Sequence, residues 1–194
     1  MEKLNRQNLW SLEEYSEKRA GFRSEVMAHK KCRQVPLGDH ARLHFEDQIT
    51  IRHQVQEMLR IEKIFEAAAI QEELDAYNPL IPDGSNFKAT FMLEYDDPAE
   101  RQHRLQELLG VERDVYIQVD EFEPVHPSAD EDLVRDDGEK TSAVHFLRFE
   151  IPQPVRLAIK AGSDIRIGVR HPQFTIAATP VDPKVRDSLA DDLV

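Results

Sequence analysis

The segment Phe87–Tyr95 places the tightest limit on the fold. Phe87, Ala89, Phe91, Leu93 and Tyr95 alternate with Lys88, Thr90, Met92 and Glu94. That is the period of a strand with one face in a core and the other turned away from it. A helix would scatter the apolar set around its axis, so the chain must build a sheet here. Ala41, Leu43 and Phe45 alternate in the same way with Arg42, His44 and Glu46, and Val115, Ile117 and Val119 mark a third strand. Further strand patterns occupy 143–151, 164–170 and 173–179.

Helical signals lie between these strands. Ser11 and Glu14 form a capping box, from which a helix runs to about His29 with Leu12, Tyr15, Arg19, Phe22 and Val26 along one side. Helical spacing returns over Ile51–Phe65 and again over Ala67–Tyr77, until Asn78-Pro79 ends it. Asp97 followed by Pro98 is an N-cap with proline in the first turn, and Gly110 closes that helix. Short helices are expected near 154–161 and 183–192. Strands and helices do not alternate strictly, as they would in a doubly wound sheet. The expected fold is therefore α+β, one domain over residues 1–194, with a mostly antiparallel sheet covered by helices on one face.

Charge is unevenly spread. The chain carries a formal net charge of −12, yet residues 1–35 hold eight Lys/Arg against five Asp/Glu. Residues 120–140 hold nine Asp/Glu against two Lys/Arg. With Pro124, Pro127 and Gly138, the stretch at about 120–141 is expected to be an acidic loop. It is either a solvated surface or a docking loop for a basic partner, with Asp130, Glu131 and Asp132 at its centre. An acidic protein lacks the clustered cations that bind nucleic acid or an anionic membrane surface. No apolar run approaches the ~18 residues of a membrane-spanning helix. The start MEKLNRQNLW has no signal-peptide core, and a lone cysteine, Cys32, forms no internal disulfide; both point to the cytoplasm. Lys30, Lys31 and Arg33 beside Cys32 would favour its thiolate, although a passive surface cysteine is the simpler reading.

No glycine-rich phosphate loop, nucleophile elbow or H-E-x-x-H is present. One constellation suggests chemistry. On a wheel of about 100° per residue, Glu62 falls about 20° from the centre of the apolar face formed by Ile51, Val55, Met58 and Phe65. A carboxylate there must be paired or ligate something. His145 shares strand parity with Leu147, Phe149 and Ile151, and His171 with Ile165, Ile167 and Val169. Two inward histidines with Glu62 would make a His/His/Glu set suited to iron, zinc or manganese, in a small metal-binding protein or oxidoreductase. The alternative is a buried polar network, with Glu62 neutralised by an arginine such as Arg148. On the other side of the same helix His53, Glu57 and Arg60 form a polar stripe; His53 and Glu57 have a metal-compatible spacing that also suits a solvated ion pair.

The segments VQEMLRIEKI, IQEELDAYNPLIP, FMLEYDDPAERQHRLQELLGVE and GVRHPQF are similar to a bacterial family of unknown function. Its members are often encoded beside rubrerythrin-like and heterodisulfide-reductase-like iron–sulfur proteins. Residues 56–62 are the most specific part, and 120–141 lie outside the likeness. The resemblance implies a cytoplasmic accessory role in redox or peroxide-stress metabolism, with an iron–sulfur or di-iron protein as partner. It supplies no catalytic residue. Phe174 stands where the family pattern has tyrosine, which removes a phenol from that position. The long helical region also allows self-association, without the heptads of a coiled coil.

Overall fold

The computed structural model describes residues 2–131 and 138–194. In chain order the elements are α1 (Leu12–Lys30), β1 (Gln34–Pro36), β2 (Ala41–Glu46), α2 (Gln48–Ile61), α3 (Ala67–Tyr77), β3 (Asn86–Leu93) and α4 (Pro98–Glu107). There follow β4 (Val115–Val119), β5 (Ser128–Ala129), β6 (Val144–Glu150), α5 (Gln153–Lys160), β7 (Ile165–His171), β8 (Phe174–Pro180) and α6 (Pro183–Ala190). The fold is α+β and its strand pairs are antiparallel, as expected.

The strands form two sheets where the pattern suggested one. β1-β2-β3-β6-β5 make the larger and β4-β7-β8 the smaller. Both turn apolar residues into a common core: Leu43, Phe45, Phe87, Phe91, Leu147 and Phe149 from the first, and Val115, Ile117, Ile165 and Ile167 from the second. Leu105 of α4, Val155 and Ile159 of α5, and Val185 and Leu189 of α6 complete it. Alternation shows which residues a strand buries but not which strand lies beside it, so the division into two sheets was not readable locally.

The acidic stretch joins the sheets. Val125 exchanges backbone hydrogen bonds with Ile117 of β4, and four residues later β5 pairs with β6 of the larger sheet. The described part of this segment is therefore a largely exposed loop, as expected, that is pinned to both sheets.

A second, smaller core lies among the N-terminal segment, α2, α3 and the turn after α3. Leu4, Ile51, Val55, Leu59, Leu74 and Ile81 form it. The two cores are tied together at Arg33. This buried guanidinium donates to the carbonyls of Phe45 and Glu46, to Ser188 of α6 and to Asp192. Its Nε also lies 3.4 Å from Asp47, the N-cap of α2, whose carboxylate accepts from the Thr50 amide at 2.9 Å and faces His29 Nε2 at 2.5 Å.

Two aspartates thus share one arginine, and burial pushes the Asp192 carboxyl up to about 6 from its ordinary 3.8 despite the guanidinium beside it. A carboxyl raised in the folded state costs nothing below its unfolded value and destabilises increasingly as pH rises through the folded one. The stability of an Asp192→Asn variant relative to the parent protein should therefore rise between about pH 4 and pH 7. Urea unfolding across that range checks it.

Candidate functional site

A deep recess lies between the helices of the second core and the outward face of the larger sheet. It is a cavity of about 650 Å³ whose walls include Met58 of α2, Ala76 and Tyr77 of α3, Leu80 after it, and Phe146 of β6. That volume is within the range of sites for drug-sized molecules. The polar groups reaching it are Glu73, Lys88, Glu131 and Arg148.

Strand register explains their arrangement. Lys88 stands opposite Glu46 of β2 on one side and Arg148 of β6 on the other. Glu46 is buried under α2, where its oxygens accept from the hydroxyls of Thr50 and Thr90 at 2.6 and 2.8 Å. Arg148 donates twice to Glu131 at 2.7 Å and again to Glu150, and these partners raise its pKa. Asp83 is held by Ser85 and Asn86. Glu46, Glu131 and Asp83 are engaged elsewhere, and among the described residues Lys88 Nζ has neither a hydrogen bond nor an ion pair. Burial lowers its pKa, and the like charge of Arg148 adds to the effect.

The three residues expected to converge on a metal do not. Glu62 is exposed. The helix ends at Ile61, Glu62 is its C-cap, and Lys63 turns the chain with φ of 53°. The wheel placed Glu62 on the apolar face only because it continued the helix to Phe65, which is itself exposed. Arg148, the cation suggested for Glu62, is taken by Glu131 and Glu150.

His171 lies on the smaller sheet. Its Nδ1 accepts from the Gln173 amide and its Nε2 donates to the Leu109 carbonyl, which makes it a buried hairpin residue. His145 lies on the larger sheet with other partners. Among the described residues no three His, Cys, Asp or Glu side chains are grouped to hold a metal ion. The buried polar network, the alternative reading, describes both histidines.

His145 nonetheless belongs to a suggestive line. Its Nδ1 faces Asp130 Oδ2 at 2.5 Å, and its Nε2 faces Thr141 Oγ1 at 2.9 Å. This has the form of a carboxylate–imidazole–hydroxyl triad. However, Nε2 also faces the Ser142 carbonyl at 3.0 Å, and a carbonyl only accepts. A ring nitrogen that donates there has no lone pair to take the proton of Thr141. The hydroxyl instead points to Glu112 at 3.4 Å, and His145, Thr141 and Glu112 are buried. The group anchors the loop between the sheets and does not activate a nucleophile.

The same network accounts for part of the proposed docking loop. Asp130 faces inward, accepting also from the Phe146 amide at 2.9 Å, and Glu131 is paired with Arg148. Asp132 lies outside the described residues. Cys32 is half-buried in the turn after α1, with no disulfide.

The polar stripe of α2 is not a solvated face, because α1 covers it. Glu57 accepts from the Tyr15 hydroxyl at 2.6 Å, from Arg19 at 2.7 and 2.9 Å, and from Arg60 at 3.4 Å. The Arg19 hydrogen bonds hold its carboxyl down at about 2. Burial lowers the pKa of His53, whose ring packs against Phe22. Glu57 is thus committed to α1 and is not available to a metal with His53. Arg19 within the otherwise apolar stripe of α1 was the sequence signal for this contact.

A family described as "Protein of unknown function (DUF3501)" matches residues 3–193. The chain belongs to the DUF3501 family. It is also similar to a crystal structure described as a novel protein of unknown function from Burkholderia pseudomallei K96243. The two are 51% identical over 100% of each chain, with a TM-score of 0.95. No match is found among curated proteins. Neither description assigns a reaction, so chemistry must be argued from the side chains. Among the described residues no helix is long and apolar enough to cross a membrane.

Both the Lys88 cavity and the Glu57 cluster lie within the span the family covers. A carboxyl depressed by folding stabilises above its ordinary 4.5, and the contribution is lost as pH falls towards the folded value of about 2. A Glu57→Gln variant should therefore be less stable than the parent protein at neutral pH and match it near pH 2. Urea unfolding followed by the fluorescence of Trp10, which abuts the same helix pair, checks this.

Proposed function

We propose that this protein binds a small apolar molecule with an anionic head, seated in the cavity between α2–α3 and the larger sheet. One observation carries the reading: a half-buried ammonium, Lys88, faces an apolar-walled cavity without a partner. An incoming carboxylate supplies the acceptor that this ammonium lacks within the protein. Met58, Ala76, Tyr77, Leu80 and Phe146 offer the surface for the rest of the molecule. Decanoate is a suitable probe. It should bind saturably by calorimetry, and Lys88→Met should weaken binding by about tenfold or more, the usual worth of a hydrogen bond to a charged group. Absence of binding, or equal binding by the variant, would overturn the reading.

A second reading has its own observation. Ile61 and Phe65, at the turn between α2 and α3, are 56% and 67% exposed. Two large apolar side chains in one short turn suit a protein contact. From this turn and the partner that the sequence resemblance implies, we propose an accessory protein that docks an iron–sulfur or di-iron redox protein through it. If so, iron should co-purify with the tagged protein and be lost from an Ile61→Ser/Phe65→Ser variant of unchanged thermal stability. Iron-free protein, or iron retained by the variant, argues against it.

A further inference from the structure

Lys88 differs from an ordinary anion-binding lysine in what surrounds it. Its cross-strand neighbour on β6 is another cation, Arg148. The carboxylates that would hold it as an ammonium are occupied: Glu46 by two threonines, Glu131 by Arg148, and Asp83 by Ser85 and Asn86. The amine sits half-buried at the edge of an apolar cavity large enough for a substantial ligand.

Desolvation and the like charge of Arg148 favour the free amine, against the opposing pull of Glu131 and Asp83. A free amine beside apolar walls is a nucleophile for carbonyl carbon. The same walls concentrate an apolar carbonyl compound next to it.

We infer that Lys88 forms a Schiff base with an apolar aldehyde or ketone bound in this cavity. The proposal goes beyond the binding reading above and rests on the same cavity, with Lys88 reacting as the amine where that reading uses its ammonium. The step balances without a further reactant. Lys88 loses a proton to solvent, and its Nζ lone pair attacks the carbonyl carbon to form an N–C bond. The resulting carbinolamine loses its oxygen as water, taking up the two amine hydrogens, and a C=N bond remains. Solvent then protonates the imine nitrogen. Glu73 lines the same cavity and can relay protons between the reacting atoms and solvent.

Decanal in the presence of cyanoborohydride fixes such an imine as a secondary amine, and peptide mass mapping locates it. The full-length protein should acquire the adduct at Lys88 with about tenfold preference over any other lysine, as expected for an amine activated by an apolar pocket. Lys88→Met removes the site. Ala76→Trp, which narrows the cavity and leaves Lys88 in place, should reduce labelling at Lys88 to the level of the surface lysines. Adducts spread evenly over the lysines, or undiminished at Lys88 in Ala76→Trp, would overturn the proposal.

Parallel titration with decanoate separates this proposal from the one on which it rests. Binding of decanoate without selective labelling by decanal refutes the Schiff base and leaves the acid-binding site standing. Selective labelling without decanoate binding makes the cavity a site for neutral carbonyl compounds and refutes the acid-binding reading instead. Failure of both refutes both.

Discussion

The Arg33 guanidinium is the contact on which the arrangement of this chain depends. A buried cation is tolerable only when its donors are met. Here they are met by groups far apart in sequence: the carbonyls that end β2, Ser188 of α6, and Asp192 beyond it. Its Nε also lies near Asp47, the residue that starts α2. The end of α1, the β2–α2 junction and the C-terminal helix therefore share one point in space. Moving any one of them exposes or orphans charge in the others. Burial is the largest cause of the raised Asp192 carboxyl, and the neighbouring Asp47 adds to it against the pull of Arg33.

The outward face of the larger sheet poses a related problem. Its residues Arg42, His44, Glu46, Lys88, Thr90 and Arg148 have the polarity of a solvent-facing surface, yet α2 and α3 lie over part of it. The polar groups there are reconciled in pairs: Glu46 with Thr50 and Thr90, and Arg148 with Glu131 and Glu150. Lys88 and His44 are left out of this pairing, and burial lowers the pKa of both. A polar group unmatched where its neighbours are matched points to something absent from the chain itself. The family membership and the likeness to the Burkholderia protein establish the fold and leave its chemistry unassigned.

Local structure was legible where local chemistry decides it. Ser11 with Glu14, and Asp97 with Pro98, begin helices as their types suggest, and the alternation of Phe87 to Leu93 is the central strand. Non-local structure was not. The split into two sheets depends on which strands meet, and β5 is too short to show a period. Glu62 was misplaced because the helix ends at Ile61 and Lys63 turns the chain away, so the wheel extended beyond the helix it described. The candidate site was hidden for another reason. Lys88 occupies the outward parity of a half-buried strand, where a lysine is unremarkable until helices are seen to cover it. Met92 and Phe146, apolar at the same outward positions, were the available sign that this face is not wholly given to water.

The separation of the two cores has a mechanical consequence. Lys88, Phe146 and Arg148 are carried by the sheet, whereas Met58, Ala76, Tyr77 and Leu80 belong to the helical layer with its own apolar cluster. Floor and roof of the cavity thus belong to units with separate cohesion, and the helical layer, resting on the smaller core, is the one poised to open first. An occupant touching both acts as mortar between them. Its affinity appears as slowed amide exchange along α2 and α3, and an empty protein breathes at this seam.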